Sequence, residues 1–371
     1  MKVGIDCRLP YYQMGGISQY ILHLLPSLAQ LDQEGEYLVY HSRKDTKSHL
    51  PAGAKNFIRR NLYTPSHHRF ERWAQSAELL FQDLDLYHSP DFIPPAFGAR
   101  RRIITVHDLN FVHYPEFLTA ESRRYYLDQI EWAVREADHV VADSDYTRQD
   151  LINLLGVREE RITTVYLAAN PIYCGERSDE EIAEVLKKFE LVEGFILFVG
   201  TISPRKNVRL LIDTYEKLHG EMGFNKPLVL VGAAGWLSQD VQGEIDGQKA
   251  SADIRHLLDV TDYELSCLYS AAGVLTLPSY YEGFGLPALE AMHCGCPVIS
   301  SDRGSLPEIV GDAGKLLDPD DLDSWIEAID LMTRDESLRN QARQKGLEQA
   351  AKFTWHRTAS ETLEIYRRSV T

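Results

Sequence analysis

The 371-residue chain contains little cysteine, no long apolar run and no excess of basic residues. Its five cysteines are few and scattered, which argues against a disulfide framework. Its apolar runs are shorter than the roughly 18 to 20 residues of a membrane helix. Lys and Arg total 39 against 55 Asp and Glu, a net charge of −16. A nucleic-acid-binding protein needs a basic face to neutralise phosphates, so this balance argues against that class.

Two further absences narrow the class. No internal repeat or low-complexity tract is visible, and no G-x-G-x-x-G follows the first strand, which disfavours a dinucleotide-dependent oxidoreductase. The opening residues, Met1–Asp6, have the pattern of a first strand and not of a secretory signal. We therefore expect a cytoplasmic globular protein.

Short apolar, β-branched runs alternate with amphipathic stretches along nearly the whole chain. This alternation predicts an α/β fold of parallel sheets covered by helices, and the length suffices for two domains. We predict two Rossmann-like, doubly wound domains, at residues 1–175 and 190–354, that face each other across a cleft. A polar linker is expected near 176–193, and a closing helix within 355–371 is expected to pack back on the first domain. Ligands of such sheets bind outside the carboxyl ends of the strands.

The loop after one predicted strand of the second domain has the features of a ligand site. Gly283 and Gly285 allow the backbone to approach a ligand closely, and Pro287 suits the first turn of a helix. The amides at this helix start have no partner within the helix, so they can bind oxygen atoms of a sugar or a phosphate. These are the amides of Phe284, Gly285 and Leu286.

Two carboxylates flank the same loop. Glu282 precedes the turn, and Glu290 lies one helical turn beyond it, with its side chain leaning back toward the helix start. Carboxylates accept hydrogen bonds from the vicinal hydroxyl groups of a ribose or a hexose. Each acid alone has a plainer interpretation, because Glu290 could merely favour the helix dipole and Glu282 could be a surface acid. Together they favour a sugar-nucleotide pocket.

A pair of cations follows the first predicted strand of the second domain. Arg205 and Lys206 stand before a helix, at the carboxyl end of a strand, where two positive charges suit a diphosphate. Such cations stabilise the charge that develops on a departing diphosphate. The alternative interpretation is a solvent-exposed Arg-Lys pair.

Three weaker signals lie at other predicted strand ends. Gly15 and Gly16 stand at the start of a helix, where backbone amides can bind an anion, although an ordinary turn explains the two glycines equally well. His107 ends a strand and is a candidate for hydrogen-bonding a sugar hydroxyl, although a lone histidine is usually structural. Gly232 and Val260 close strands where a nucleotide base would sit, and they do not distinguish guanine from uracil.

Two segments have the form of metal sites, and we interpret both as structural. Asp143-Ser144-Asp145 matches D-x-D, but Ser144 makes a good helix N-cap with acids beside it. Cys294 and Cys296 form a C-x-C, but no second Cys/His pair lies nearby, which favours a buried pair at a helix end. We therefore expect no metal and no other cofactor.

The segment from Glu282 to Glu290 resembles the E-x7-E signature of retaining family-4 glycosyltransferases, in the form E-G-F-G-L-P-x-L-E. Residues 200–207 resemble that family's G-T-x-x-P-R-K-N loop, with Thr201 where many relatives carry Arg. Residues 106–116 resemble the V-H-D-L…P-E segment of bacterial mannosyl- and rhamnosyltransferase-like members. The resemblance extends over nearly the whole chain. It implies the GT-B fold, in which two Rossmann-like domains face each other.

The resemblance also implies roles by position. Glu282 would contact the donor sugar, Glu290 the nucleotide ribose, and Arg205 with Lys206 the diphosphate. The G-G-I loop at 14–17 would close over the same diphosphate. GT-B enzymes generally work without a bound metal, so the resemblance agrees with the expectation of no cofactor.

The reaction implied is the transfer of a hexose, with retention of configuration, from a nucleotide-diphosphate sugar to a glycan or lipid-linked saccharide. His107, Glu282, Arg205 and Lys206 would form the catalytic set. Our specific interpretation is mannose from GDP-mannose, in the synthesis of a cell-surface polysaccharide. The alternatives are a UDP- or dTDP-sugar donor, a nucleotide-sugar epimerase or phosphorylase of similar fold, and a non-catalytic nucleotide-sugar-binding subunit.

Basic and aromatic residues cluster in the first half of the chain. Arg69 and Arg72 stand near Tyr63, Phe70 and Trp73. One interpretation is a solvated, salt-screened surface. The other is a face for an anionic acceptor or for membrane headgroups, which would place the protein peripherally on the inner face of a membrane.

Overall fold

The computed structural model describes residues 1–12, 15–117, 119–233 and 253–371, and these form two compact units. The first unit comprises Met1–Ala168 together with Phe353–Thr371, and the second comprises Ala169–Lys352. Each unit is built on its own parallel β-sheet. Among the described residues, no helix combines the length and the apolar character needed to cross a membrane.

The first unit has a seven-stranded sheet in the order β3-β2-β1-β4-β5-β6-β7. Its strands are β1 (Lys2–Asp6), β2 (Glu36–Ser42), β3 (Phe57–Leu62), β4 (Leu84–Ser89), β5 (Ala99–Val106), β6 (His139–Ala142) and β7 (Ile162–Thr164). The strand order reverses between β1 and β4, where Ile5 lies opposite His88. In an open parallel sheet, this switch point is where the loops part and a ligand can enter.

The second unit has a six-stranded sheet in the order β10-β9-β8-β11-β12-β13. Its strands are β8 (Ile196–Val199), β9 (Leu228–Val231), β10 (Ile254–Leu257), β11 (Val274–Leu277), β12 (Val298–Ser301) and β13 (Lys315–Leu317). The four central strands are buried along their whole length, as expected of parallel strands with helices on both faces. The switch point of this sheet lies between β8 and β11.

Helices follow most of the strands, as the alternating pattern predicts. Within the described ranges they are α1 (Leu9–Tyr12), α2 (Gly16–Leu31), α3 (Glu71–Leu79), α4 (Asn110–His113), α5 (Ala120–Glu136), α6 (Asp145–Leu155), α7 (Asp179–Lys188), α8 (Val208–Glu221), α9 (Asp262–Ala271), α10 (Leu286–His293), α11 (Leu306–Val310), α12 (Leu322–Arg334), α13 (Glu336–Ala350) and α14 (Trp355–Val370).

The last helix belongs to the first unit. Thr354 begins α14 by accepting a hydrogen bond from the amide of Arg357 at 3.2 Å, and the helix packs against α2. Tyr366 lies within it and bonds to His88 Nδ1 at 2.6 Å. The chain therefore returns to the first sheet after completing the second.

The segment expected to be a linker is instead partly helical. Residues 179–188 form α7, which packs on α9 within the second unit. A capping box of Ser178 and Glu181 starts the helix, and Lys187 and Lys188 lie in its last turn. The high charge of this segment, which suggested a linker, reflects capping and dipole-matched ends of an amphipathic helix.

Candidate active site

The cations predicted to bind phosphate lie directly after β8. A short 3-10 turn, Pro204–Lys206, is followed by Asn207 in a left-handed conformation (φ 49°), after which α8 begins. The carbonyl of Arg205 accepts a hydrogen bond from the amide of Tyr280 at 2.8 Å. This bond ties the loop after β8 to the loop after β11, as adjacent strands at a switch point allow.

Glu282 joins these two loops through its carboxylate. Oε1 accepts hydrogen bonds from Ser279 Oγ, at 2.7 Å, and from Lys206 Nζ. Oε2 lies 3.3 Å from Arg205 Nη1, which also donates to the carbonyl of Tyr281. Glu282 and Lys206 are each only 7% exposed. Three of the predicted catalytic residues thus form one buried cation–carboxylate cluster.

The two cations decide the charge state of Glu282. Burial alone would raise the pKa of its carboxyl, but the charges of Lys206 and Arg205 lower it to about 2. Glu282 is therefore ionised at neutral pH and can accept hydrogen bonds but cannot donate a proton. The cluster carries one net positive charge, which suits a pocket for an anionic leaving group.

A third loop, which the sequence did not indicate, supports Glu282 from behind. The Glu282 carbonyl accepts hydrogen bonds from the amide and hydroxyl of Ser305, at 3.1 and 3.0 Å. Gly304 has φ 60°, and a Cβ there would lie 2.6 Å from the same carbonyl oxygen. Only glycine fits this position, so the loop after β12 holds the backbone of Glu282 in place.

The glycine-rich turn leads into α10 as predicted. Gly285 has φ 99°, and a Cβ there would lie 2.9 Å from a methyl group of Leu306. The helix begins at Leu286 with Pro287 in its first turn, and Phe284 is buried. Within its first turn, the amide of Ala288 donates to the Gly285 carbonyl at 3.0 Å.

Glu290 has surroundings different from those of Glu282. Its Oε2 accepts a hydrogen bond from the Tyr269 hydroxyl at 3.1 Å, and the Tyr173 ring packs edge-on against Tyr269. Burial, with a smaller contribution from the charge of Asp262, raises the pKa of Glu290 to about 7 against the opposing Tyr269 hydrogen bond. Near neutral pH, the protonated and ionised forms of the Glu290 carboxyl are therefore both populated. The two tyrosines were missed because they lie in other elements of the second unit.

The residues predicted near the base occupy two strand ends. Gly232 has φ 138°, and a Cβ there would lie 2.3 Å from the Gly200 carbonyl oxygen, so the ends of β8 and β9 approach too closely for a side chain. The Gly232 carbonyl accepts a hydrogen bond from His256 Nε2 at 2.7 Å. Val260 is half-buried directly before Thr261, the N-cap of α9.

His107 lies in the first unit, at the end of β5. Its Nδ1 bonds to Asp143 Oδ2 at 2.5 Å, and its Nε2 donates to the Pro90 carbonyl at 2.7 Å. Burial alone would lower the pKa of His107, but the Asp143 carboxylate raises it to about 9. The imidazole is therefore protonated at neutral pH and forms an ion pair with Asp143. Because both ring nitrogens are occupied, His107 does not suit a general base or the hydrogen bond to a sugar hydroxyl that the sequence suggested.

Gly15 and Gly16 stand at the start of α2. Gly15 is the N-cap in an extended conformation, and Gly16 is the first helical residue. Met14, which the resemblance places in the same loop, lies outside the described residues.

The two segments with the form of metal sites have structural contacts. Ser144 caps α6 by accepting from the Thr147 amide at 3.0 Å, as predicted. Asp143 pairs with His107, whereas Asp145 accepts from Thr164 Oγ1 at 2.6 Å, so the two acids serve different partners. The D-x-D pattern thus arises from a helix start. Cysteines 294 and 296 are buried at the end of α10, as expected.

Two parallel-sheet units, with a buried cation–carboxylate cluster at the strand ends of the second, define a glycosyltransferase of the GT-B class. The fold is similar to that of sucrose-phosphate synthase from Thermosynechococcus elongatus, with a TM-score of 0.77 and 21% identity over 99% of this chain and 98% of that one. It is also similar to HepE of Anabaena, solved with UDP and glucose, with a TM-score of 0.74 and 18% identity over 98% and 99% of the two chains.

The sequence places the chain within this class. Residues 14–171 match the family described as Glycosyltransferase Family 4, and residues 178–349 match Glycosyl transferases group 1. The O-antigen chain mannosyltransferase B of Escherichia coli is 34% identical over 385 residues, covering 99% of this chain and all of that protein. The chain belongs to glycosyltransferase family 4, which confirms the predicted family and the predicted GT-B fold.

Proposed function

We propose that this protein is a retaining, metal-independent mannosyltransferase. It transfers mannose from GDP-mannose to a glycan or lipid-linked saccharide during the synthesis of a cell-surface polysaccharide. The first unit receives the acceptor, and the second binds the donor. The observation that carries the proposal is the cluster of Arg205, Lys206 and Glu282, and the choice of mannose follows the full-length similarity to a mannosyltransferase.

The cluster suits the departure of a nucleoside diphosphate. Lys206 and Arg205 both donate to Glu282, and their positive charges lie at a strand end where the oxygen atoms of a diphosphate can accept charge-assisted hydrogen bonds. Positive charge fixed in a buried site stabilises the developing diphosphate more than the bound donor. Two cations at this position supply the charge that a metal ion would otherwise provide.

The same residues account for the bond changes of the reaction. The bond from the anomeric carbon to the diphosphate oxygen breaks, and the electron pair leaves with GDP. The acceptor hydroxyl bonds to the anomeric carbon on the same face, and its proton passes to the departing diphosphate. Glu282, ionised and held by Ser279, accepts hydrogen bonds from hydroxyl groups of the donor sugar. His107, paired with Asp143, holds the Pro90 carbonyl in place on the acceptor side.

A nucleotide screen followed by a transfer assay tests this function. Thermal-shift measurements with GDP, UDP, dTDP and ADP should give the largest stabilisation with GDP. NMR of the product formed from GDP-mannose and a mannoside acceptor should then show an α-mannosidic bond. A larger shift with UDP or dTDP would favour the alternative donors, and nucleotide binding without transfer would favour the non-catalytic subunit.

The donor site should also respond to pH through Glu290. The pKa of about 7 means that this carboxyl loses its proton as the pH rises through neutrality. Because the ionised form accepts ribose hydroxyls better, affinity for GDP-mannose should rise up to about tenfold between about pH 6 and pH 8. Calorimetric titration of GDP-mannose measures this, since its diphosphate does not titrate in that range. Glu290→Gln should flatten the profile, and a profile identical in both proteins would contradict the assignment.

We further propose that the first unit binds anionic membrane surfaces. Phe70 is 52% exposed and Trp73 is 53% exposed, at the start of α3. The guanidinium of Arg69 lies 4.6 Å from the centre of the Phe70 ring, and the Trp73 ring lies 6.4 Å from that of exposed Phe97. Exposed aromatic rings beside guanidinium groups suit the headgroup region of an anionic bilayer.

Vesicle sedimentation tests the membrane proposal. The protein should bind phosphatidylglycerol-containing vesicles at low salt and bind more weakly at high salt, because surface charges are screened. The double variant Phe70→Ala/Trp73→Ala should lose most of this binding. Leu331→Ala, which removes an exposed apolar side chain of the second unit, is the matched control and should bind normally. Absence of binding at low salt would rule the proposal out.

A further inference from the structure

A small cavity opens in the first unit at the switch point of its sheet. Its lining includes Asp6 at the end of β1, Ser89 at the end of β4, and Asp91 just beyond. Its empty volume, including the part that is open to solvent, is about 300 Å³. The enclosed interior has room for roughly one water-sized group. A ligand would therefore place one edge in the cavity and not a whole sugar ring.

Ser89 is the feature that points to a ligand. Its side chain lines the cavity and is only 2% exposed. Within the described ranges, Ser89 Oγ has no hydrogen-bond partner. Most buried hydroxyl groups in proteins are hydrogen-bonded, because an unpaired one costs free energy. A polar group entering the cavity would satisfy it.

The carboxylates around Ser89 are held and charge-balanced by other protein groups. Asp6 is bound by Arg8, whose Nε lies 2.9 Å from Oδ1, and Asp91 Oδ2 is bound by His67 Nε2 at 2.5 Å. Burial alone would lower the pKa of His67, but the hydrogen bond and charge of Asp91 raise it. Glu71 also lines the cavity and shares Arg8 with Asp6. Each acid of the lining is thus already bound to a cation, so the cavity suits a neutral hydrogen-bond donor better than a metal ion or an amine.

The remaining walls suit the carbon skeleton of a sugar. Leu9 and Ile93 line the cavity with apolar side chains. Pro90 also lines it, and the Pro90 carbonyl accepts the hydrogen bond from His107 Nε2. Pro90 thus connects the cavity to His107, the histidine assigned to the acceptor side of the reaction.

We propose that this cavity recognises the acceptor by binding one or two hydroxyl groups on one edge of the acceptor's terminal saccharide. Ser89 Oγ and the Asp91 carboxylate, whose oxygens each accept one hydrogen bond within the protein, receive these hydroxyls, while Leu9 and Ile93 contact the C–H bonds of the same edge. Ser89 and Asp91 are then specificity-determining residues for the acceptor. The inference rests on the proposed function for the identity of the ligand as an acceptor.

Saccharide titrations followed by NMR test this inference. The probes are methyl α-mannopyranoside and methyl α-glucopyranoside, added to the full chain in the presence of GDP. Ser89→Ala should weaken binding of the preferred glycoside about fivefold, the factor expected for one neutral hydrogen bond. Its melting temperature should not fall, because the substitution removes an unpaired buried hydroxyl. If Ser89 were needed only for folding, Ser89→Ala would bind the glycoside as the wild type does and would have a lower melting temperature.

Ser42→Ala is the matched control. Ser42 ends β2 of the same sheet and is also 2% exposed, but it bonds to the Tyr12 hydroxyl at 3.2 Å and does not line the cavity. This variant should bind the glycosides as the wild type does. Asp91→Asn, which keeps the size of the side chain, should weaken binding at least as much as Ser89→Ala.

Two results would overturn the inference: no binding of either glycoside by the wild type, or equal binding by Ser89→Ala and the wild type. GDP titration separates this outcome from failure of the proposed function. If GDP does not bind while Ser89→Ala still weakens glycoside binding, the donor assignment is wrong and the cavity assignment stands. If GDP binds equally to all three variants while their glycoside binding differs, both assignments are supported.

Discussion

Glu282→Ala is expected to lower kcat/KM for sugar transfer by a factor between about 10² and 10³, while GDP binding persists. The carboxylate is fixed by Ser279 and by two cations, so it presents acceptor lone pairs to the donor sugar at no reorganisation cost. Removing it frees Lys206 and Arg205 from their counter-charge. GDP affinity should therefore stay constant or increase.

The same substitution should destabilise the protein without ligand. Lys206 is only 7% exposed, and breaking a buried ion pair by removing one partner costs about 3–5 kcal/mol. GDP should restore part of the lost melting temperature, because its phosphates replace the missing carboxylate as a partner of the cations. End-point transfer assays measure turnover, calorimetry measures the affinity for GDP, and thermal melts measure the stability of the protein.

Glu327→Gln provides the control for Glu282. Glu327 lies on the exposed face of α12 in the same unit, so its substitution should leave turnover, affinity and melting temperature unchanged. Turnover within twofold of the wild type in Glu282→Ala would remove Glu282 from the catalytic set. Loss of GDP binding together with turnover would instead assign it to ground-state binding of the nucleotide.

The double variant Arg205→Ala/Lys206→Ala should weaken GDP binding at least about 100-fold, since hydrogen bonds from charged donors contribute more than neutral ones. Transfer should fall further than binding, because these cations stabilise the departing diphosphate more than the bound donor. The two effects separate in a plot of kcat against the Kd for GDP. The variant also leaves Glu282 buried without a cation, so its thermal stability should decrease.

Lys217→Ala is the matched control for the loss of a cation. Lys217 lies on α8, toward the end of the helix away from the cluster, and its half-exposed side chain faces Asp323 at 3.8 Å. Its removal should change neither GDP affinity nor transfer. An unchanged Kd for GDP in the double variant would refute the role of Arg205 and Lys206.

The fold was predictable because its signals are local. β8 is a continuous apolar run followed by a glycine, and β11 is apolar except for Thr276 and is followed by a proline; that pattern is typical of parallel strands buried on both faces. β3 carries no such signal, because it lies at an edge of its sheet and contains Arg59, Arg60 and Asn61.

Contacts across elements could not be predicted from the sequence. Asp143 looked like a helix-flanking acid, but the pairing of β5 with β6 places it against His107, 36 positions earlier. The support of Glu282 by Gly304 and Ser305 likewise depends on the loop after β12, which adjoins the loop after β11 only because those strands pair. Strand order depends on the packing of the whole sheet, so it cannot be predicted from the sequence of any one segment.

A crystal structure of the protein with GDP tests the central claim most directly. The account predicts that diphosphate oxygens lie within hydrogen-bond distance of Arg205 and Lys206, and that the ribose hydroxyls lie on the Glu290 carboxylate. A nucleotide bound with its diphosphate away from both cations, or with its ribose remote from Glu290, would contradict it.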